Sequence, residues 1–246
     1  MNQIAVKVEH LSRSFGEFIA VNDISFEVSR GEIFGFLGAN GAGKTTTIRM
    51  LCGLLMPTSG KAWVQGIDIG AEPESVKQTI GYMSQRFSLY NDLTVEENIT
   101  FYGGIYGLDR KRLEHQKNWM LNKLNLSDQR KTLTSEIPLG WKQRLALGCA
   151  ILHNPSTVFL DEPTSGVDPI SRRNFWSLIY ELAEAGTTVF VTTHYMDEAE
   201  YCNRLSVMHQ GKIITIDSPN ALKSTYKKDN IEDVFVSLVS GAAASQ

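Results

Sequence analysis

One eight-residue segment, Gly38–Thr45, constrains this chain more than any other feature. Its sequence GANGAGKT fits the pattern G-x-x-x-x-G-K-[ST] of the phosphate-binding P-loop. The glycines allow backbone N–H groups to turn inward around a phosphate, and a helix starting at Lys44 would point its positive dipole end there. In this pattern Lys44 neutralises phosphate charge and the Thr45 hydroxyl binds Mg²⁺. The segment therefore predicts a nucleoside triphosphate site, with a merely flexible loop as the alternative.

The residues on either side of the P-loop agree with this prediction. Ile33–Leu37 is apolar on both faces, which is typical of a fully buried parallel strand. A helix is predicted from Lys44 to about Leu55, where a segment with proline and glycine follows. A buried strand before the loop and a helix after it are the context that a P-loop requires.

A second segment, Thr157–Leu160, predicts an apolar strand that ends in two carboxylates, Asp161 and Glu162. Buried carboxylates at the end of a strand are costly unless they meet a cation or a proton. Beside a P-loop, Asp161 is predicted to hold Mg²⁺, directly or through water, and Glu162 to polarise the attacking water. A solvated turn before Pro163 is the alternative.

Hydrophobic periodicity predicts how the rest of the chain is organised. Thr94 and Glu97 form a capping box at the start of a helix, and Asp168 with Pro169 begins another. Alternating apolar residues predict strands early in the chain, and further strands follow the helical middle. Strands that alternate with helices indicate a parallel sheet covered by helices, with the strand-rich start and the helical middle forming two lobes.

Composition excludes several classes of protein. The 246 residues include 24 Lys+Arg and 27 Asp+Glu, a net charge of −3, which excludes a generally basic nucleic-acid-binding protein. No apolar run reaches the roughly 18 residues of a membrane span, and no signal peptide is visible. Cys52, Cys149 and Cys202 are far apart and odd in number, so we expect buried free thiols in a reducing compartment. We therefore expect a cytosolic protein.

Three segments together resemble the nucleotide-binding subunit of an ATP-binding cassette (ABC) transporter: Gly38–Thr45, Asp161–Pro169 and Thr192–His194. The resemblance runs from about Val6 to Ile216. It is closest to bacterial drug-efflux exporters, especially the ATPase subunits paired with integral permeases of the daunorubicin-export kind. It implies an α/β fold: a RecA-like P-loop NTPase core with an N-terminal antiparallel β subdomain and an inserted α-helical subdomain.

The resemblance also implies domain boundaries within a single ABC ATPase domain over residues 1–246. The nucleotide-binding core with its β subdomain would occupy about 1–85 and 156–220. The helical subdomain, which includes the signature segment, would occupy about 86–155. The remaining residues, about 221–246, would form a C-terminal tail.

The resemblance implies ATP and Mg²⁺ as cofactors and assigns further roles, each with a plainer alternative. Phe15 would stack on adenine, although an aromatic residue between strands is more often part of the core. Gln85 would contact Mg²⁺ and the attacking water, although it could simply end a strand. His194 would bind the γ-phosphate, although a lone histidine is usually structural. Asp168 matches the D-loop, in which Val167 replaces the commoner leucine, and it also fits a helix cap.

The predicted site can therefore be stated as three sets. The catalytic residues are Glu162, His194, Gln85 and Lys44, and the metal ligands are Thr45, Gln85 and Asp161. The nucleotide-binding residues are Phe15, Gly38, Ala39, Asn40, Gly41, Ala42, Gly43, Lys44, Thr45, Thr46, Pro138, Gly140 and Asp168.

The signature segment departs from the family pattern L-S-G-G-Q. Here Pro138 replaces the serine that reaches the opposing subunit's ATP, and Gly140 alone remains of the two glycines. A charge-assisted hydrogen bond is worth about 1.5–3 kcal/mol, so we expect contact with the partner's ATP to be weaker or differently built. Pro138 is compatible with a helix start. The variant resembles a subgroup of exporters that includes tandem proteins, so this chain could be half of one.

The resemblance implies an ATPase subunit that pairs head to tail with a second cassette, as a homodimer or a heterodimer, around two ATP molecules. It would drive small-molecule export through a separate integral membrane permease, at the cytoplasmic face of the inner membrane and without nucleic acid. The permease would dock near Gln85–Leu93, where Phe87, Leu89 and Tyr90 cluster, although these residues could equally pack the lobes together. The alternatives are a soluble ABC protein acting on ribosomes or DNA and a catalytically silent regulatory cassette.

Overall fold

The computed structural model describes residues 3–86 and 88–244, except for the side chains of 242–244. Within this part of the chain, ten strands form two sheets. The strands are β1 (Ile4–Phe15), β2 (Phe18–Ser29), β3 (Ile33–Leu37), β4 (Ser59–Val64), β5 (Ile67–Asp68), β6 (Ile80–Met83), β7 (Thr157–Asp161), β8 (Thr188–Thr193), β9 (Arg204–His209) and β10 (Lys212–Asp217).

Nine α-helices lie between and after these strands in the described residues. They are α1 (Lys44–Leu51), α2 (Pro73–Thr79), α3 (Val95–Ile105), α4 (Arg110–Lys123), α5 (Leu139–Ile151), α6 (Pro169–Glu184), α7 (Met196–Ala199), α8 (Pro219–Tyr226) and α9 (Ile231–Ala244).

The two sheets differ in strand direction. The smaller sheet has the order β2-β1-β4-β5 and is antiparallel throughout. The larger sheet has the order β10-β9-β3-β8-β7-β6, in which the strands from β9 to β6 are parallel and β10 is antiparallel to β9. The predicted α/β fold with an antiparallel N-terminal sheet is therefore confirmed.

The centre of the larger sheet is apolar on both faces. Every residue of β3, β7 and β8 is buried, as expected for parallel strands that are covered by helices. Four phenylalanines that belong to these strands, Phe34, Phe36, Phe159 and Phe190, pack together with Phe26 of β2. Phe190 lies 4.8 Å from Phe159 and 5.5 Å from Phe34 between ring centroids. This core fixes the relative positions of the loops that follow the three strands.

Helices α3, α4 and α5 pack around a separate apolar cluster. The predicted capping box is present: the Thr94 hydroxyl accepts from the Glu97 backbone N–H, and the Glu97 carboxylate accepts from Thr94 in return. Asp109 caps α4 by accepting from the backbone N–H of Arg112. The helical middle of the chain is thus organised by local signals that are visible in the sequence.

One local prediction differs from the structure. Helix α1 ends at Leu51 rather than at about Leu55, because Gly53 adopts a left-handed backbone conformation with φ +65°. Pro138 is the N-cap of α5, whose first residue is Leu139, so the prediction that Pro138 is compatible with a helix start is confirmed. The cysteines follow expectation, since Cys52, Cys149 and Cys202 are all buried and free, and burial raises the pKa of each thiol.

Across the described residues, the helices are too short or too polar for any of them to cross a bilayer.

Candidate functional site

The predicted site residues follow neighbouring strands of the larger sheet. The P-loop follows β3, His194 follows β8, Asp161 and Glu162 lie at the end of β7, and Gln85 follows β6 shortly after its last residue. These four strands are adjacent and parallel, so their carboxyl ends meet at one edge. In open α/β sheets this edge is where ligands bind.

The P-loop surrounds a cavity of about 400 Å³. Gly43 caps α1 with φ +107°, and a Cβ atom there would lie 2.6 Å from the Ala20 carbonyl oxygen, so only glycine fits. No side chain caps α1, which leaves the first N–H groups of the helix available to an anion. The cavity is lined by Phe18, Ala20, Asn40, Gly41, Ala42, Gly43, Lys44, Thr45, Thr46, Gln85 and Glu162.

Lys44 is a buried cation within this loop. Its Nζ atom donates hydrogen bonds to the carbonyls of Gly38 at 2.7 Å and Ala39 at 3.2 Å. It also lies 3.7 Å from Oε1 of Glu162. Burial lowers the pKa of Lys44, while the carboxylates of Glu162 and Asp161 oppose that shift. The ammonium is therefore held inside the loop, where phosphate oxygens would be stronger partners than carbonyls.

Asp161 is almost fully buried and accepts two hydroxyl hydrogen bonds. Its Oδ1 atom is 3.0 Å from the Thr45 hydroxyl and 2.6 Å from the Thr192 hydroxyl. Burial raises the pKa of Asp161, and these two hydrogen bonds act in the opposite direction. The pair of hard oxygen donors from Asp161 and Thr45 fits Mg²⁺, which typically takes one or two protein ligands and completes its shell with phosphates and water.

The predicted Mg²⁺ ligands are few. In the described residues no group of three or more His, Cys, Asp and Glu side chains is arranged to hold a metal ion. Of the three predicted ligands, Thr45 and Asp161 are in contact with each other, and Gln85 donates its amide N–H to Glu162.

Glu162 lies at the centre of the candidate catalytic group. Its Oε2 atom accepts a hydrogen bond from the Gln85 amide at 3.0 Å. The Nδ1 atom of His194 lies 3.2 Å from the same oxygen but forms no hydrogen bond with it. The backbone of Glu162 has φ +48°, a conformation that non-glycine residues seldom adopt, and its N–H donates to the Thr192 hydroxyl at 2.9 Å. This backbone conformation places the Glu162 side chain at the lining of the P-loop cavity.

Phe15 and Phe18 lie on either side of the turn between β1 and β2. The two residues face each other across this turn, and Phe18 lines the P-loop cavity whereas Phe15 is not part of its lining. The Phe15 ring is half-exposed and lies 4.6 Å from the guanidinium carbon of Arg13. Adenine stacking on Phe15 stays a prediction.

The signature residues and Asp168 do not line the P-loop cavity of their own chain. Asp168 caps α6 by accepting from the backbone N–H groups of Ile170 and Ser171. Gly140 packs against this turn, because a Cβ atom at Gly140 would lie 2.9 Å from the Ser171 hydroxyl oxygen. Pro138 makes no side-chain cap for α5. These residues form a second surface, separate from the P-loop.

Sequence reasoning missed three contributors to the site. Thr192 contacts both the Asp161 carboxylate and the Glu162 backbone, and Phe18 and Ala20 line the cavity. The only sequence signal for Thr192 was its position two residues before His194. The alternation of apolar and polar residues along β2 gave no signal that Phe18 would line the cavity.

Comparison with known proteins decides the family. A family model described as "ABC transporter" matches residues 21–165, which is more than half of the chain. The chain belongs to the ABC transporter family. A solved structure described as the ATP-binding subunit of an ABC transporter superposes on this cassette with a TM-score of 0.86 and 26% identity, over 96% of this chain and 99% of that one.

Two curated relatives have names that mention transport or resistance. The cassette is 47% identical over 243 residues to the probable multidrug ABC transporter ATP-binding protein YbhF of Escherichia coli (strain K12), covering 96% of this chain and 42% of YbhF. It is 37% identical to the linearmycin resistance ATP-binding protein LnrL of Bacillus subtilis (strain 168), covering 96% of this chain and 76% of LnrL. The chain thus spans less than half the length of YbhF and most of the length of LnrL.

Proposed function

We propose that this ABC cassette binds ATP with Mg²⁺, hydrolyses it, and uses the energy to drive export of a small molecule through a separate membrane permease. The observation that carries the hydrolytic part is the contact of the Glu162 carboxylate with Gln85, His194 and Lys44 at the mouth of the P-loop. These four side chains combine a base, two polar groups and a cation at the place where a terminal phosphate would lie.

Each residue has a distinct task in the proposed reaction. Glu162 accepts a proton from the attacking water, and the Gln85 amide orients that water. Lys44 releases the Gly38 carbonyl and binds phosphate oxygens, and His194 donates to the phosphate farthest from the sugar. Mg²⁺, when bound, offsets the charge that develops on the phosphates.

We further propose that two cassettes pair so that the signature segment of one meets the ATP of the other. Within the part of the chain that the structure describes, neither Pro138 nor Gly140 lines the P-loop cavity of its own chain. Two apolar side chains beside the signature segment are exposed, Leu139 at 42% and Ile170 at 75%. Exposed apolar residues at such a position fit an interface with a second copy or a related cassette.

The permease would dock on an exposed aromatic patch next to the Gln85 loop. Tyr90 and Phe101 are half-exposed with ring centroids 4.6 Å apart, and Ile105 is 60% exposed on the same helix as Phe101. Leu89 instead packs inward against two core clusters, and Phe87 lies outside the described residues. The cassette would thus attach peripherally to the cytoplasmic face of the membrane. The names of YbhF and LnrL favour a drug-like substrate.

Co-purification followed by an activity assay tests this proposal. From detergent-solubilised membranes, we expect the cassette to retain an integral membrane protein, and the complex to release phosphate from ATP only while Mg²⁺ is present and not after chelation with EDTA. Turnover without any membrane partner would favour a soluble ABC protein of the ribosome- or DNA-acting kind. A complex without turnover would favour a silent regulatory cassette.

Substitution of Pro138 by serine tests the proposed pairing. The new hydroxyl is expected to reach the partner's ATP and to strengthen ATP-driven association by at most about 3 kcal/mol, the upper value for one charge-assisted hydrogen bond. Because Pro138 is an N-cap residue, serine also suits the start of α5. Sedimentation with ATP in the Glu162→Gln background, where ATP is not consumed, measures the change.

Pro138→Ala is the matched control, since it removes the proline ring without adding a hydroxyl. Association of the serine variant should exceed that of the alanine variant. Equal association of the two variants would mean that this segment does not touch nucleotide.

A further inference from the structure

Glu198 has a fully buried carboxylate that lies outside the nucleotide cavity. Its Oε2 atom accepts a hydrogen bond from the Thr193 hydroxyl at 2.7 Å, and its Oε1 atom accepts one from the Thr164 hydroxyl. Both threonines are buried as well. A buried carboxylate is costly unless its charge and lone pairs are satisfied. We refer to Glu198, Thr164 and Thr193 as the carboxylate clasp.

The two threonines of the clasp belong to the segments that bear the candidate catalytic side chains. Thr164 lies shortly after Glu162, and Thr193 directly precedes His194 at the end of β8. One carboxylate therefore holds both segments at the same time.

Arg172 places a positive charge beside the clasp. Its Nε atom lies 3.4 Å from Oε1 of Glu198, and its guanidinium lies 4.2 Å from the centre of the Tyr195 ring. The preceding residue, Ser171, is the one against which Gly140 packs. The first turn of α6 thus contacts the clasp through Arg172 and the signature segment through Ser171.

We propose that Glu198 is a positioning residue for ATP hydrolysis, which holds the Glu162 segment and the His194 segment at a fixed separation. Arg172 places the first turn of α6, against which Gly140 packs, next to the same carboxylate. The inference rests on the proposed ATPase function. It goes beyond that function because Glu198, Thr164, Thr193 and Arg172 neither line the cavity nor touch its proposed ligands.

The Thr164 and Thr193 hydroxyls donate to the same carboxylate, that of Glu198, and this restricts movement of one threonine relative to the other. Both hydroxyls are buried, so neither can exchange its hydrogen bond for one with water at low cost. A shift of the His194 segment away from Glu162 would stretch a hydrogen bond of the clasp. Small misplacements of catalytic groups can lower rates as much as a hundredfold.

Valine substitutions test each side of the clasp. Thr193→Val and Thr164→Val keep the shape of the side chain and remove one donor each. We expect about a tenfold fall in kcat for each variant, with the KM for ATP within about twofold of the wild type, because ATP binding depends on the P-loop. Thr193→Ser and Thr164→Ser keep the hydroxyl and should restore most of kcat. Thr164→Val is the cleaner of the two, since the Thr193 hydroxyl also accepts from the Tyr195 backbone N–H.

Thr188→Val is the matched control. Thr188 lies at the opposite end of β8, is equally buried, and uses its hydroxyl to accept from the Gly31 backbone N–H at 3.0 Å. The change in the side chain is identical, but it occurs far from Glu162 and His194. Thermal unfolding of all variants shows whether each is folded, and Thr188→Val should keep the wild-type kcat.

The double variant Thr164→Val/Thr193→Val adds a readout that a purely structural role would not give. If one carboxylate bridges the two segments, breaking either side already releases them, and the two effects on kcat should combine less than multiplicatively. Multiplicative effects, or a kcat of Thr193→Val no lower than that of Thr188→Val, would overturn the inference. Absence of turnover in the wild type would instead overturn the proposed ATPase function.

Discussion

Replacement of Lys44 by alanine is expected to abolish ATP turnover and to weaken ATP binding about 10- to 100-fold. Lys44 is the cation that lines the P-loop cavity within the described residues, and its ammonium lies among the Gly38 carbonyl, the Ala39 carbonyl and Glu162. Losing a charge-assisted hydrogen bond to phosphate costs about 1.5–3 kcal/mol of binding energy. The remaining backbone N–H groups of the loop carry no net charge to replace it.

The loss can be measured by thermal unfolding with increasing ATP and Mg²⁺. A ligand that binds only the folded state stabilises it by about 2.7 kcal/mol at 100 times its Kd, so a 100-fold weaker affinity would remove most of that stabilisation at the same concentration. Lys61→Ala is the control, because Lys61 is an exposed lysine on β4. Wild-type stabilisation of the Lys44→Ala variant by ATP and Mg²⁺ would contradict the role of the loop as a phosphate site.

Replacement of Glu162 by glutamine is expected to lower kcat by about 10²- to 10⁴-fold while ATP binding is retained. Glutamine has the same shape and removes the negative charge, so it cannot accept a proton from water. The P-loop residues that would bind phosphate are unchanged, and Lys44 keeps its contacts with the Gly38 and Ala39 carbonyls. The Glu162→Gln variant should therefore keep its affinity for ATP while its kcat falls.

Measurements of ATP affinity and of the rate of phosphate release on the same variant test this prediction. Glu232→Gln, at an exposed position on α9, is the control for the same chemical change. Turnover that is unchanged in Glu162→Gln would remove Glu162 from the role of base. A fall in affinity as large as the fall in kcat would place Glu162 in binding instead of proton transfer.

Several features were predictable because they depend on residues close together in the chain. The P-loop needs glycine at Gly43 for its backbone angle, and the capping box of Thr94 and Glu97 closes within one helical turn. Asp168 likewise caps the helix that begins at the next residue. The apolar run Ile33–Leu37 predicted a strand that is buried on both faces.

Other features could not be predicted, because their signals are short or lie in distant parts of the chain. The two-residue strand β5 pairs with β4 and is too short to show alternation. Helix α1 looked longer than it is, since the apolar pattern continues through Leu55 while the backbone turns at Gly53. Whether Phe15 or Phe18 faces the cavity depends on the geometry of the β1–β2 turn rather than on residue type.

The sequence by itself determined the prediction of which residues would bear the chemistry, because glycine, lysine, threonine and paired carboxylates in the motifs have few other uses together. Only the tertiary structure decided which of these residues lie close together, because the order of the strands in the sheet brings distant segments of the chain to the same edge. Thr45 and Asp161 are 116 positions apart and come within 3.0 Å since β3 and β7 both flank β8. The contacts of Thr192 with Asp161 and of Glu198 with Thr164 join residues 31 and 34 positions apart, and no local sequence pattern indicates them.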